Sequence, residues 1–245
     1  MRNVGPIFAA NCRICYICLF CQRTSPMQRL YLQTPPVVKN LIIANCIMLL
    51  ATSLLPIGNE IIGYLALFNA ESPFFHSFQV VSYMFLHGGL EHLFFNMFAL
   101  WMFGRTLEYE LGSQRFLTYY LVCGIGAALL QLGVGWVEYN HAVSLYGETS
   151  LTARMLLQVP TVGASGAVFG LLLAYGVMHP NAIIMLMIPP VPIKAKWFVL
   201  IYGLIEFFFG MSGRQSGVAH FAHLGGMLWG FLLLWYWRKN RKIFF

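Results

Sequence analysis

Two short runs and one histidine–asparagine pair in this chain's apolar segments carry residues that could do chemistry together. Residues 161–175 read Thr-Val-Gly-Ala-Ser-Gly-Ala-Val-Phe-Gly-Leu-Leu-Leu-Ala-Tyr. This is an apolar helical stretch with one hydroxyl, Ser165, between Gly163 and Gly166. Glycines on either side let backbone and partner groups come close to that hydroxyl. A serine is a weak nucleophile until a base removes its proton. His223 opens a second run, His223-Leu-Gly-Gly226-Met-Leu-Trp-Gly230. An imidazole, with an ordinary pKa of about 6.5, is the natural base. His92 and Asn96 are four residues apart, so they share one helix face. Each can donate a hydrogen bond to a developing oxyanion. The backbone N–H of Ser165, at a helix start, is a third donor with the positive end of the helix dipole behind it. The chemistry these groups allow is acyl transfer.

The elements that must bring them together are also legible. Gly166, Gly170 and Ala174 recur every four residues, and Gly226 and Gly230 do the same. Such smooth faces let two membrane helices approach closely. If the two faces pack on each other, Ser165 and His223 meet.

Composition sets the class. Of 245 residues, 59% are hydrophobic and 9% charged, against about 25% charged in a soluble domain. This is the signature of an all-α polytopic membrane protein. All eight acidic residues are glutamates, which excludes a Ser-His-Asp triad, a Walker-type or kinase-type aspartate, and an EF-hand. The base is therefore expected to work in a Ser-His dyad, or to be oriented by an aromatic ring or a backbone carbonyl. The net charge of +7 reads as positive-inside topology, because the basic residues sit at segment ends. No nucleic-acid partner is expected.

Six apolar segments are predicted to span: Val38–Pro56, His87–Gly104, Phe116–Val137, Val162–His179, Trp197–Gly210 and Gly217–Trp237. Residues 57–86 are rich in aromatics and lack Lys and Arg, which predicts an interfacial first loop. Residues 105–115 are predicted as a charged turn, 138–160 as a loop, and 180–196 as a Pro-containing connector. Arg23, Arg29, Lys39, Arg105, Arg115, Lys194, Lys196, Arg238, Lys239, Arg241 and Lys242 fall on one side of the membrane, and only Arg154 and Arg214 on the other. Both termini are therefore expected in the cytoplasm. The second, fourth and sixth segments then run inward, with His92, Ser165 and His223 about 5–9 Å deep. Asn96 lies one turn further down. Polar groups aligned at one depth within a membrane mark function.

The domain plan is a cytoplasmic segment over residues 1–36, one six-helix domain over 37–238 and a basic cytoplasmic tail over 239–245. Cys12, Cys15, Cys18 and Cys21 have an iron–sulfur-like spacing, but their apolar setting points instead to an upstream start, with Met27 the true first residue. Cys46 and Cys123 are expected as packing residues.

The chain resembles the rhomboid family of intramembrane serine proteases. The residues that carry the resemblance are His92-Leu-Phe-Phe-Asn96, Gly163-Ala-Ser165-Gly166 and Ala222-His223-Leu-Gly-Gly226 with Gly230. Phe85-Leu-His-Gly-Gly-Leu and Trp101-Met-Phe-Gly-Arg105-Thr-Leu-Glu108 also fit. The resemblance implies Ser165 as nucleophile, His223 as general base and acid, and His92 with Asn96 in the oxyanion hole. Gly163, Gly166, Gly170, Gly226 and Gly230 would support the packing. It further implies a water-filled cavity open to the outer face, with entry controlled by the fifth helix and the 211–218 loop. The substrates would be single-pass membrane proteins cut in or near the transmembrane segment, with no cofactor and no metal. The expected location is the cell (inner) membrane.

Other readings compete, among them a non-catalytic binding protein on the same scaffold that escorts membrane clients. His220, three residues before His223, could be taken for the base, but the glycine spacing favours His223 and leaves His220 a supporting role. His87-Gly-Gly-Leu-Glu91-His92 resembles an inverted zinc-protease motif with one residue too many, and His87 reads better as structural. Glu206 could carry protons in a transporter, but the chain has no inverted repeat. It is otherwise expected to be protonated or turned toward the adjoining loop.

Overall fold

The computed structural model describes residues 33–185, 191–212 and 219–240. The cysteine run at 12–21, the alternative start at Met27, Pro189, Pro190, Arg214, Arg241, Lys242 and most of the 211–218 loop lie outside the described residues. By internal contact the chain divides into Met1–Thr34 and Pro35–Phe245. Everything below concerns the second unit.

Helix α1 spans Pro36–Leu54. Proline suits the first helical position, where its missing N–H is no loss. The N–H groups of Val37 and Val38 donate to the Glu108 carboxylate at 3.0 and 2.8 Å. Ser113 Oγ donates to the same carboxylate at 2.6 Å. Glu108 is 1% exposed and belongs to α4, Leu90–Leu111. The predicted charged turn at 105–115 is therefore corrected. The helix runs on to Leu111, Gly112 alone (φ 79°) makes the turn, and α5 begins at Ser113. Glu108 faces inward because the first turn of α1 presents backbone donors that need an acceptor.

Residues 57–86 fold into two short helices, α2 (Gly58–Leu65) and α3 (Gln79–Ser82), with a 3-10 turn at Tyr83–Phe85. Buried Gln79 organises this segment, accepting from Phe68 N and donating to the Tyr64 and Phe74 carbonyls. Tyr83 Oη ties it to the Gly124 carbonyl of α5 at 2.8 Å. Tyr64, Phe74 and Phe78 stay exposed.

Helix α5, Ser113–Tyr146, has 34 residues, about 51 Å at the usual rise. It overruns the predicted end at Val137, and just before that point it holds the first loop through Asn69 Nδ2 donating to Gly135 O and Trp136 Nε1 to Glu71. The predicted 138–160 loop also contains α6, Leu151–Gln158, capped by Ser150. The chain then runs extended into α7, Ser165–Met178, with Thr161 and Leu67 exchanging two backbone bonds at 2.8 and 3.0 Å. The 180–196 connector holds an antiparallel pair, β1 (Ile183–Met185) and β2 (Pro192–Lys194), with Ile184 opposite Ile193. Three-residue strands are too short to leave a period in sequence. Helices α8 (Ala195–Ser212) and α9 (His220–Lys239) complete the chain.

The centre of the molecule is where α9 packs on α5 and α7. A Cβ on Gly226 would collide with the Gly166 carbonyl, so the smooth faces of α7 and α9 meet backbone to backbone. Gly170 lies against Cys123, and Gly230 against Cys123 and Tyr119. Tyr119 Oη donates to the Gly170 carbonyl at 2.9 Å. Cys123 thus packs the seam, and Cys46 packs against the same core.

Helices α1, α5 and α8 are long and apolar enough to cross a membrane. Helix α4 has the length but carries Glu91, Arg105, Glu108 and Glu110. Helix α9 carries two histidines and a basic end, and α7 is the shortest of the apolar helices at 14 residues.

Candidate active site

Helices α4, α7 and α9 each start three residues later than predicted, at Leu90, Ser165 and His220. His92 is therefore the third residue of α4, Ser165 the first of α7 and His223 the fourth of α9. The lead-ins contain Gly88-Gly89 and Gly163, which apolarity alone does not separate from helix. All three side chains come from first turns.

Ser165 Oγ and His223 Nε2 are 2.8 Å apart. His223 Nδ1 lies 2.9 Å from Glu206 Oε2, and His220 Nδ1 lies 2.7 Å from the same oxygen. An ionised carboxylate only accepts, so with Glu206 ionised each Nδ1 carries the hydrogen and donates. That leaves His223 Nε2 with its lone pair toward the serine hydroxyl, the form a base needs. Phe169, one turn after Ser165, stacks flat on His223, with ring centroids 4.2 Å apart and planes 5° from parallel. Glu206, His220 and His223 are buried, while Ser165 and His92 are half-buried. The site is therefore open on the Ser165–His92 side and closed behind His223.

Gly163 has φ 129°, a region that favours glycine, and its N–H donates to Tyr83 O at 3.0 Å. A Cβ there would lie 2.8 Å from His92 Cε1 and 3.0 Å from Nε2. The His92 ring therefore lies directly over Gly163, beside Ser165. His92 Nδ1 accepts from Gly88 N at 3.3 Å, which assigns the hydrogen to Nε2 and makes that edge a donor toward the site. Asn96 is buried, and its amide donates to the His92 carbonyl at 2.9 Å. It makes no bond to Ser165 in this conformation. The first backbone bond of α7 is Val168 N to Ala164 O, so the N–H groups of Ser165, Gly166 and Ala167 have no acceptor within the helix.

The inverted zinc-protease string does not assemble. Glu91 is exposed, and His87 packs edge-on to His92 with centroids 5.1 Å apart. A different trio, Glu206, His220 and His223, has ligand-type atoms within 4.8 Å of one another. Sequence reasoning placed Glu206 and His220 apart and missed both their shared contact and Phe169. The signals existed: one acid inside an apolar helix, a histidine three before the base, and an aromatic four after the serine. The expectation that no carboxylate orients the base is corrected, since excluding aspartate did not exclude Glu206.

A bundle of apolar helices with a Ser–His pair at its helix N-termini defines a class of membrane protein. The family model of the Rhomboid domain matches residues 75–240, and the chain belongs to the rhomboid family. Over 161 residues it is 32% identical to Rhomboid protein 1, mitochondrial, of Saccharomyces cerevisiae, covering 66% of this chain and 42% of that protein. It is 31% identical over 152 residues to Rhomboid protease AarA of Providencia stuartii, covering 61% and 52%. It is 30% identical over 155 residues to Putative rhomboid protease YdcA of Bacillus subtilis, covering 63% and 64%. The chain thus spans about half the length of the relatives it matches.

Proposed function

We propose that this protein is an intramembrane serine endopeptidase that cuts single-pass membrane proteins in or near the transmembrane segment. The observation that carries the reading is the 2.8 Å contact of Ser165 Oγ with His223 Nε2. His223 takes the serine proton as Oγ attacks the scissile carbonyl, then returns it to the leaving amine. The acyl-enzyme is hydrolysed by water that His223 activates in turn. The oxyanion forms beside three donors: His92 Nε2–H, the Asn96 amide and the Ser165 backbone N–H. The reaction uses no cofactor and no nucleic acid.

Helix lengths support the membrane setting. Helix α7, with 14 residues, is about 21 Å long, less than the hydrocarbon thickness of about 30 Å. Its first residue therefore lies below the membrane surface, and the extended lead-in is protected by its bonds to Leu67. Six helices, α1, α4, α5, α7, α8 and α9, cross, with both termini cytoplasmic, the first loop in the interface and residues 37–238 forming one domain. The cell (inner) membrane is the setting proposed. Substrate enters beside α8, the helix with the fewest fully buried residues of the six.

The test is purified protein in liposomes with a single-pass substrate and mass mapping of the product. Wild type is expected to cut within or beside the apolar segment, and Ser165→Ala to leave the substrate intact while staying folded. Cleavage by Ser165→Ala at the wild-type rate would refute the proposal. A second reading comes from the metal-competent spacing of Glu206, His220 and His223, and chelation separates the two. A serine enzyme keeps its rate in chelator, whereas a metal enzyme loses it.

A further inference from the structure

We infer that Glu206 is the positioning residue of the site, extending the Ser–His pair to a Ser165–His223–Glu206 relay with His220 as the second anchor of the carboxylate. This rests on the assignment of Ser165 and His223 above. Three hydrogen-bond contacts run in series: 2.8 Å from Ser165 Oγ to His223 Nε2, 2.9 Å from His223 Nδ1 to Glu206 Oε2, and 2.7 Å from that oxygen to His220 Nδ1. Stacking on Phe169 fixes the plane of the His223 ring. It does not choose which nitrogen carries the hydrogen, because a ring face interacts equally with either tautomer. Only an acceptor at Nδ1 makes that choice, and Glu206 is that acceptor.

The placement on α8 argues for more than packing. Its other fully buried residues are Ala195 and Val199, so Glu206 is the one charged group this helix turns inward. Burying a carboxylate is costly unless its acceptor sites are filled, and a single oxygen here takes both imidazole donors. His220 therefore holds the oxygen in place while His223 uses it. During the reaction the proton moves from Ser165 Oγ to His223 Nε2, and Nδ1–H stays on the ring. The carboxylate remains unprotonated and faces the imidazolium that forms. Its charge acts in the transition state more than in substrate binding.

The test compares wild type, Glu206→Gln, Glu206→Asp and Ser165→Ala in the liposome assay, with thermal unfolding of each. Glu206→Gln is expected to lower kcat by about 10–1,000-fold with KM within about twofold. Labelling of Ser165 by a fluorophosphonate should slow in parallel, and Glu206→Asp, which keeps the charge, should recover part of both. A folded Glu206→Gln variant within about threefold of wild-type kcat overturns the inference, as does an Asp variant no better than Gln. One readout needs no variant. The ¹⁵N spectrum of the wild-type His223 ring should show the Nδ1–H tautomer, and an Nε2–H tautomer overturns the inference even if every Glu206 variant fails to fold. If Ser165→Ala cleaves, the protease reading fails. If Ser165→Ala is dead and Glu206→Gln is normal, only this inference fails.

Discussion

A neutral imidazole has one hydrogen for two nitrogens, so what faces one nitrogen decides what the other can do. In this protein that rule assigns both rings of the candidate site. His92 accepts at Nδ1 from Gly88 and donates at Nε2, while His223 donates at Nδ1 to Glu206 and accepts at Nε2. Neighbouring His87 shows the opposite condition. It is 4% exposed, and neither ring nitrogen forms a well-made hydrogen bond. It precedes α4, and burial together with His92 pushes its pKa down to about 4, against a weaker upward pull from the Phe85 backbone. Unfolded, the ring would titrate at about 6.5. The folded state therefore excludes a proton that the unfolded state binds, so stability held above pH 6.5 is lost as pH falls toward 4. His87→Phe is expected to flatten that part of the stability–pH curve, read by thermal unfolding in detergent at stepped pH. An unchanged slope would contradict the assignment. The serine and histidine of the proposed site stood out in the sequence because each sits in a glycine-spaced apolar run. Glu206 was seen but not placed, because periodicity locates a residue on its own helix and not against another.

At the scale of elements, the glycine spacing told which faces could meet, and the α7–α9 seam shows why the spacing matters. Gly226→Ala would drive a methyl group into the Gly166 carbonyl. The expected cost is about 1–3 kcal/mol, seen as a lower unfolding temperature and a loss of activity as Ser165 and His223 separate. Gly133 in α5 is the control, since a Cβ there meets nothing within 4 Å. Gly133→Ala is expected to be neutral or to stabilise by about 0.5–1 kcal/mol through helix propensity. Equal effects at the two positions would contradict the close approach. Helix ends were less legible than helix faces. Helices α4, α7 and α9 each begin three residues late because a glycine-containing lead-in reads as apolar, and α5 continues past Val137 to Tyr146 through residues too polar to read as membrane helix. The part of α5 in the seam, through Tyr119 and Cys123, left no motif, since large side chains filling a groove follow no fixed spacing.

At the scale of the molecule, the fold is fastened at two ends. The site fastens one, and Glu108 fastens the other by joining the start of α1 to the α4–α5 turn through three hydrogen bonds. Glu108→Ala leaves two buried backbone donors and a serine hydroxyl without that acceptor, at an expected cost of about 1–3 kcal/mol per unsatisfied group. Because Glu108 is remote in the chain from Ser165 and His223 and touches neither, the folded fraction should keep its kcat. A variant with wild-type stability, or one that is fully folded but inactive, would contradict this division of labour. The family membership and the apolar helices were readable from composition and motif order. The two-helix build of the first loop and the short hairpin before α8 were not, because both are set by side chain-to-backbone bonds and by pairing over three residues.

The central claim is that His223 activates Ser165. Covalent labelling by a fluorophosphonate, with the adduct located by mass spectrometry, measures this without choosing a substrate. The expected result is a single adduct on Ser165 that forms in wild type and is lost, or slowed at least about 100-fold, in His223→Ala. An adduct elsewhere, or labelling of Ser165 at an unchanged rate in His223→Ala, would contradict it.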